Sequence, residues 1–192
     1  MKILAKIINL IRVQGWVELL RTGGDRLFFK CYNELFLRLS GVCVGRGIKY
    51  EGLLRVYGGK RVRIGDYAQF GSGVIVEAAQ GATVEIGART YIGRYGTVIA
   101  KKQVVIGCDC LIAPFGYIID ADHGRQPDIP MCKQDMVKCP IRIGNNVWLG
   151  VGVAVLKGVV IGDGAIVGAR SVVTRSLEAA SVSAGSPARP IA

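Results

Sequence analysis

Histidine is almost absent from this chain, in which His123 is the single example among 192 residues. Cysteine occurs six times, but no two cysteines form a Cys-x-x-Cys pair. Because zinc sites are built mainly from histidine and paired cysteines, a metal site is poorly supplied, and we expect none. We interpret the cysteines as reduced thiols of a cytoplasmic protein, with Cys108 and Cys110 as small apolar filler within a strand repeat.

Acidic residues are also scarce. Asp and Glu number 14 against 25 Lys and Arg, which gives a net charge of +11. Such a surplus favours polyanionic partners, among them nucleotides, phosphorylated sugars, nucleic acid and an acidic membrane face, and charge alone does not choose between them. A nucleic-acid binder is disfavoured because the basic residues are not interleaved with aromatic ones and no known motif occurs.

Long uninterrupted apolar runs are missing from the first 40 residues. Lys6 and Asn9 break the opening run, so we expect neither a secretory signal nor a membrane-spanning helix. The spacing of apolar residues instead predicts two amphipathic helices. Their apolar faces comprise Ile3, Leu4, Ile7, Ile8, Leu10 and Ile11 in the first helix and Phe28, Phe29, Tyr32, Leu35, Phe36 and Leu39 in the second. This basic segment either packs on the rest of the protein, which we favour, or lies on an anionic membrane surface.

What the sequence does contain is a six-residue count. Its aliphatic members are Ile143, Leu149, Val155, Ile161, Val167 and Val173. A helix period of 3.6 and a strand period of two do not explain this count, whereas a β-coil whose corners recur every six residues does. We therefore predict an all-β domain of stacked coils, each using about 18 residues, rather than a sandwich of short strands.

The count restarts along the chain, with extra residues inserted at corners. Six coils begin near residues 44, 64, 86, 106, 143 and 161. The longest insertion, 119–140, is polar and contains proline, and on a regular rod such an excursion is where a binding or catalytic loop is expected. We therefore divide the chain into a helical segment at 1–43 and a β domain at 44–192 that carries the loop insertion 119–140.

A family resemblance appears in about the last 50 residues. It rests on the repeats and on four elements: NVWLG at 146–150, IGDG at 161–164, VGARSVVT at 167–174 and AGSPAR at 184–189. In these the chain is similar to the hexapeptide-repeat acyltransferases, most of all to the galactoside, maltose and nodulation O-acetyltransferases and to the sugar O-acetyltransferases of capsule and lipopolysaccharide synthesis. The resemblance implies a left-handed parallel β-helix, a homotrimer with sites in the clefts between subunits, and acetyl-CoA as donor.

For catalysis, the resemblance points to His123 as the general base. An imidazole has an ordinary pKa of about 6.5, which suits proton abstraction at neutral pH. Asp120 and Asp122 flank this histidine, and either could orient the imidazole or be a solvated loop residue. We take Asp122 as the candidate orienting carboxylate. The acetyl group would pass directly from acetyl-CoA to the acceptor, with no acyl-enzyme.

For the donor, the resemblance implies a CoA site along the last coils. A tryptophan matching Trp148 borders the cleft, the backbone amide at Ala169 meets the pantetheine arm, and residues matching Thr174, Arg175 and Arg189 meet the nucleotide phosphates. Arginine offers forked donors to phosphate, and Lys157 would add a point charge. Val151 stands where relatives carry a small hydroxyl residue after the glycine of the tryptophan rung.

The acceptor side departs from the galactoside-type pattern. Gly93 and Lys101 align with an Asn and an Asp of those relatives, and the basic residues Arg94 and Arg125 suit a phosphorylated or nucleotide-linked sugar. We predict O-acetylation of a sugar hydroxyl, in surface-polysaccharide synthesis. The alternatives are N-acetylation of an amino sugar nucleotide and a β-helix without catalysis that serves as a scaffold.

Overall fold

The computed structural model describes residues 28–191. From Cys43 onward the chain winds as a coil with three faces, and each face is a parallel sheet. The first face contains β1 (Cys43–Val44), β4 (Val62–Ile64), β7 (Thr83–Ile86), β10 (Gln103–Ile106), β15 (Ile141–Ile143) and β18 (Val160–Ile161). The second contains β2 (Lys49–Tyr50), β5 (Gln69–Phe70), β8 (Tyr91–Ile92), β11 (Leu111–Ile112), β16 (Trp148–Leu149), β19 (Ile166–Val167), β21 (Val182–Gly185) and β22 (Ala188–Pro190).

The third face contains β3 (Leu54–Tyr57), β6 (Val74–Ala78), β9 (Thr97–Ala100), β12 (Tyr117–Ile119), β17 (Ala154–Val155) and β20 (Val172–Val173). A separate antiparallel pair, β13 (Ala121–Asp122) with β14 (Val137–Lys138), lies in the loop insertion. Short 3-10 turns occupy Gly59–Arg61 and Met131–Lys133. This is the left-handed parallel β-helix that the resemblance implied.

The interior of the coil is built from the six-residue stations. Along the first face, the inward side chains of Ile64, Ile86, Ile106, Ile143 and Ile161 are each at most 4% exposed. The stations on the other two faces are equally buried, for example Ile112 and Val155. A fully buried isoleucine contributes about 1.5–3 kcal/mol, so this column is the main source of stability. The predicted count and its inward direction are confirmed.

The coil is longer than the six turns predicted. Beyond β18 the chain makes a seventh, partial turn: Leu177 bridges to Ile161, and β21 pairs with β19. In this turn Leu177 follows Ile161 by 16 residues rather than 18, and the buried inward residue at Ser183 is polar. The shorter interval and the polar station explain why the aliphatic count does not detect the turn.

All the inserted residues lie on one edge of the prism, between the third and the first faces. We call it the insertion edge. Four residues separate β6 from β7, two separate β9 from β10, and the 119–140 loop leaves the same edge after β12. The edge between the second and third faces, which we call edge two, carries short glycine-rich corners. The insertion edge is therefore where the shaft acquires a feature of its own.

The helix at residues 28–39 packs on the first coil, but not through its apolar stripe. The buried side chains are Asn33 and Leu37, whereas Phe28, Leu35 and Leu39 are exposed. Asn33 joins the helix to the shaft, because its Nδ2 donates to Gly52 O at 2.8 Å and its Oδ1 accepts from Leu54 N at 3.2 Å.

The first predicted helix, with Ile3 to Ile11, lies outside the described residues. Within residues 28–191 no helix is long and apolar enough to cross a membrane. Contact of residues 1–40 with an anionic membrane stays an untested alternative to packing on the shaft.

Candidate functional site

The base of the loop insertion is anchored to the shaft by a buried carboxylate. Asp120 follows β12 and is fully buried. Its Oδ1 accepts from the backbone N–H of Lys101 at 2.6 Å, and its Oδ2 accepts from those of Lys102 at 2.8 Å and Gln103 at 2.6 Å. Asp120 therefore closes the corner of the preceding coil, which is a structural role.

The loop carries His123 into an open cleft on the insertion edge. This cleft has a volume of about 290 Å³ and is lined by Asp122, His123, Arg125, Val137 and Lys157. The His123 side chain is exposed, so a substrate can reach the imidazole. Gln134 braces the loop from within, because its amide bonds to backbone atoms of Gln126 and Ile129. The structure thus brings three of the predicted site residues, His123, Asp122 and Arg125, to one place.

Asp122 is bound by cations in this cleft. Its Oδ2 accepts from Lys157 Nζ at 2.5 Å and from Arg125 Nη2 at 3.5 Å. Asp122 and Lys157 are about one-quarter exposed, whereas Arg125 is largely exposed. The carboxylate predicted to orient His123 is therefore held by Lys157, and its orienting role stays a prediction.

Lys157 lies here and not beside the arginines predicted to bind nucleotide phosphates. The sequence contained the signal for this position, because Ile118 and Val155 are partners in the β12–β17 ladder. Two residues farther along each chain segment, Asp120 and Lys157 occupy matching corners. Reading the loop and the next rung in register would have placed Lys157 at the loop base.

The candidates for the CoA arm lie on the second face and edge two. Trp148 is outward on β16 and 49% exposed, and its backbone is in register with Ile166 of the next rung. Val151 and Ala169 occupy neighbouring rungs of edge two, both exposed. The backbone of Ala169 approaches Gly150 so closely that a Cβ on that glycine would lie 2.6 Å from Ala169 N. Glycine is therefore required after Leu149 for these rungs to stack.

A second cleft, at the end of the coil, brings the two predicted phosphate-binding arginines together. It has a volume of about 400 Å³, and Arg175 and Arg189 both line it. Thr174, immediately before Arg175, is exposed. Two guanidinium groups at one concave surface offer forked donors to a phosphate. Their shared cleft agrees with the role that the resemblance implied, which stays a prediction.

Arg94 does not join His123 within one chain. It lies on edge two, where its Nε is 3.4 Å from Glu51 Oε2. His123 lies on the insertion edge, so the two predicted substrate-binding arginines, Arg94 and Arg125, are on different sides of the prism.

The cysteines do not form a reactive or metal-binding cluster among residues 28–191. All six are free, and the described residues contain no group of three or more His, Cys, Asp or Glu side chains placed to hold a metal ion. Burial raises the pKa of the Cys110 thiol, whose Sγ lies 3.0 Å from Gly144 O. A thiol with a raised pKa is a poor nucleophile, which fits a filler role.

Comparison with known proteins adds to this geometry. The bacterial transferase hexapeptide family, six repeats, matches residues 140–175. WbbJ of Escherichia coli K12, named for O-acetyl transfer in lipopolysaccharide biosynthesis, is 33% identical over 138 residues, which cover 68% of this chain and 70% of WbbJ. The chain belongs to the hexapeptide-repeat transferase family. A probable acetyltransferase of Mycobacterium tuberculosis is 30% identical over 86% of this hexapeptide-repeat chain, which spans about half, 54%, of that longer protein.

Solved structures share the fold of this hexapeptide-repeat protein. AntD, an N-acyltransferase from Bacillus cereus in complex with dTDP and coenzyme A, superposes with a TM-score of 0.73 at 22% identity, over 83% of this chain and 89% of AntD. Galactoside acetyltransferase in complex with coenzyme A gives a TM-score of 0.60 at 26% identity, over 89% of this chain and 81% of the other.

Proposed function

We propose that this protein is an acetyltransferase that moves the acetyl group of acetyl-CoA to a hydroxyl of a sugar used in surface-polysaccharide synthesis. The observation that carries the proposal is the position of His123, the one histidine of the chain, exposed in a charged cleft on the one long loop. Family membership supports it, as do WbbJ, named for O-acetyl transfer, and the coenzyme A bound to galactoside acetyltransferase.

The chemistry requires a base, a fixed acceptor and a fixed thioester. His123 removes the proton from the acceptor hydroxyl, and the oxygen attacks the thioester carbonyl carbon to give a tetrahedral oxyanion. When the oxyanion collapses, the C–S bond breaks, CoA leaves as a thiolate, and the imidazolium returns its proton to the sulfur. Holding the two substrates together contributes much of the acceleration, so no acyl-enzyme is needed.

The arrangement of the candidates favours a site shared between subunits. Within one chain, His123 lies on the insertion edge, whereas Trp148 and Ala169 lie on the second face and edge two. A cyclic homotrimer would bring the insertion edge of one subunit against the second face of the next. That assembly joins base and donor without moving either element, and it gives Arg94 of one subunit access to the cleft that contains His123 of another.

Charge indicates the class of acceptor. Arg125 and Lys157 bring two positive charges to the His123 cleft against the single negative charge of Asp122. The net positive charge favours a sugar that carries phosphate, such as a nucleotide-linked or lipid-linked sugar, over a neutral glycoside. An amino sugar nucleotide is the competing acceptor, because a base that deprotonates a hydroxyl also serves an attacking amine.

The test is acetyl-CoA consumption, measured as free thiol release, against nucleotide sugars, amino sugar nucleotides and simple glycosides, with CoA binding measured by calorimetry on the same sample. We expect CoA binding, and turnover with a phosphate-bearing sugar that leaves an acetyl ester. A product labile to mild base identifies an ester, and a base-stable product identifies an amide. Absence of CoA binding would overturn the proposal in favour of a scaffold.

A further inference from the structure

A lysine from the next rung of the shaft controls the carboxylate beside His123. Lys157 and Asp122 are 35 residues apart in sequence, and their side chains meet at 2.5 Å. Both are about three-quarters buried, with side-chain exposures of 24% and 27%. An ion pair this shielded from water is less screened than a surface pair, so each partner strongly constrains the other.

The backbone on both sides of this pair is fixed. Gly158 N donates to Cys139 O at 3.0 Å, and Cys139 N donates to Asp120 O at 2.9 Å. The returning end of the loop therefore lies against the corner that carries Lys157. Since β13 pairs with β14 through Asp122 and Val137, the Lys157 ammonium faces Asp122 from a rung that cannot slide relative to it.

Few other charges face His123 from the surrounding elements. Arg125, on the same loop, reaches Asp122 at 3.5 Å but is 83% exposed. From β14, Val137 is apolar and Lys138 pairs with the buried Ala121 rather than with Asp122. Asp135 approaches the loop near Gly124 through its backbone oxygen. Lys157 is thus the principal partly buried partner of the carboxylate adjacent to the imidazole.

We propose that Lys157 is a positioning residue for His123: by holding the Asp122 carboxylate, it prevents that carboxylate from pairing with the neighbouring imidazole and keeps the imidazole unprotonated at neutral pH. A carboxylate beside an imidazole favours the imidazolium form, which cannot accept a proton. The inference rests on the proposed function only in taking His123 as the base. It replaces the CoA-phosphate role expected for Lys157 with a role at the loop.

The test uses the fact that the chain has one histidine. In a tag-free protein grown with isotope-labelled histidine, the imidazole resonance is followed by NMR from about pH 5 to about pH 9. We compare the wild type, Lys157→Met, Lys157→Arg, Asp122→Asn and the Asp122→Asn/Lys157→Met double variant. The unfolding midpoint of each variant in urea shows that it is folded before it is titrated.

We expect Lys157→Met to move the titration midpoint to higher pH by about 0.5 unit, the effect of one unit charge roughly 6 Å away in a medium near the polarity of water. Lys157→Arg should keep the wild-type midpoint. In the Asp122→Asn background, Lys157→Met should move it by less than half as much, because there is no carboxylate left to release. An equal shift in both backgrounds, or none in either, would overturn the inference.

This titration needs no substrate, so its outcome is independent of whether the proposed activity is found. Where an acceptor is turned over, the acidic limb of kcat/KM in Lys157→Met should move in the same direction as the NMR midpoint. A raised KM for CoA with an unmoved midpoint would instead return Lys157 to the donor side.

Discussion

The shaft and the loop of this protein obtain their order in opposite ways. In the shaft, each strand finds its partners on the rungs above and below, and each inward station repeats the same aliphatic contact. In the 119–140 loop, two short strands form one pair, and individual side chains, above all Asp120, Asp122 and Gln134, do the rest. Repetition makes the shaft tolerant of any single polar change at its surface, whereas the loop depends on particular contacts.

The difference explains where reactive groups are found. A rung of the shaft offers outward positions that are interchangeable with those of its neighbours, so nothing in the repeat singles out one position for chemistry. The loop leaves the repeat and carries the only histidine into a cleft with two cations and a carboxylate. The regular part supplies a rigid frame, and the irregular part supplies the base.

The largest effect should come from the loop. His123→Ala removes the proposed base and should lower turnover by about 10³-fold, within the range for general base catalysis, with CoA affinity unchanged. Thiol release and calorimetry measure the two quantities. Lys133→Ala, an exposed change in the same loop, is the matched control and should leave turnover unaltered. Retention of more than about a tenth of wild-type turnover by His123→Ala would remove this residue as the base.

The shaft should respond in stability and not in chemistry. Ile161→Ala removes a buried station of β18 and should cost about 3 kcal/mol in the free energy of unfolding, since a cavity remains. Val160→Ala, the outward neighbour on the same strand and 48% exposed, should cost less than about 0.5 kcal/mol. Urea unfolding compares them. Equal losses for the two variants would mean that the inward column does not dominate stability.

The junction of shaft and loop should give an intermediate effect. Asp120→Asn keeps the shape but loses the charge that accepts three backbone N–H groups, so we expect a loss of about 2 kcal/mol. Asp128→Asn, an exposed change in the loop, is the control. Limited proteolysis should cut the loop faster in Asp120→Asn than in Asp128→Asn. If both are cut at the wild-type rate, the buried carboxylate does not anchor the loop.

The end of the shaft should show the smallest change. Arg175→Met and Arg189→Met should each weaken CoA binding by about tenfold, because each removes a charged donor to phosphate. Pantetheine, which lacks the nucleotide, should bind the variants and the wild type alike. Arg142→Met on the first face is the control in calorimetry. An equal loss for pantetheine would place these arginines outside the phosphate site.

Prediction from the sequence succeeded where contacts repeat. The six-residue count located six coils and the loop because a rung interacts only with its neighbours, so the pattern of one predicts that of the next. It failed where one polar group satisfies a specific partner. Asn33 is buried because its amide joins Gly52 O to Leu54 N, and no hydrophobic periodicity reports such a bond. Lys157 was assigned to the donor because its charge was considered without its register.

The corner glycines give the prism edges of unequal freedom to evolve. At the edge between the first and second faces, a Cβ added to Gly65, Gly87, Gly107 or Gly144 would lie closer than 3 Å to the backbone of the next rung. That edge has a fixed pitch and admits no longer side chain, and so no added residue that would spread the rungs. The insertion edge has no such column. New loops, and with them new acceptor specificities, can therefore be acquired along one line of this molecule without altering its spacing elsewhere.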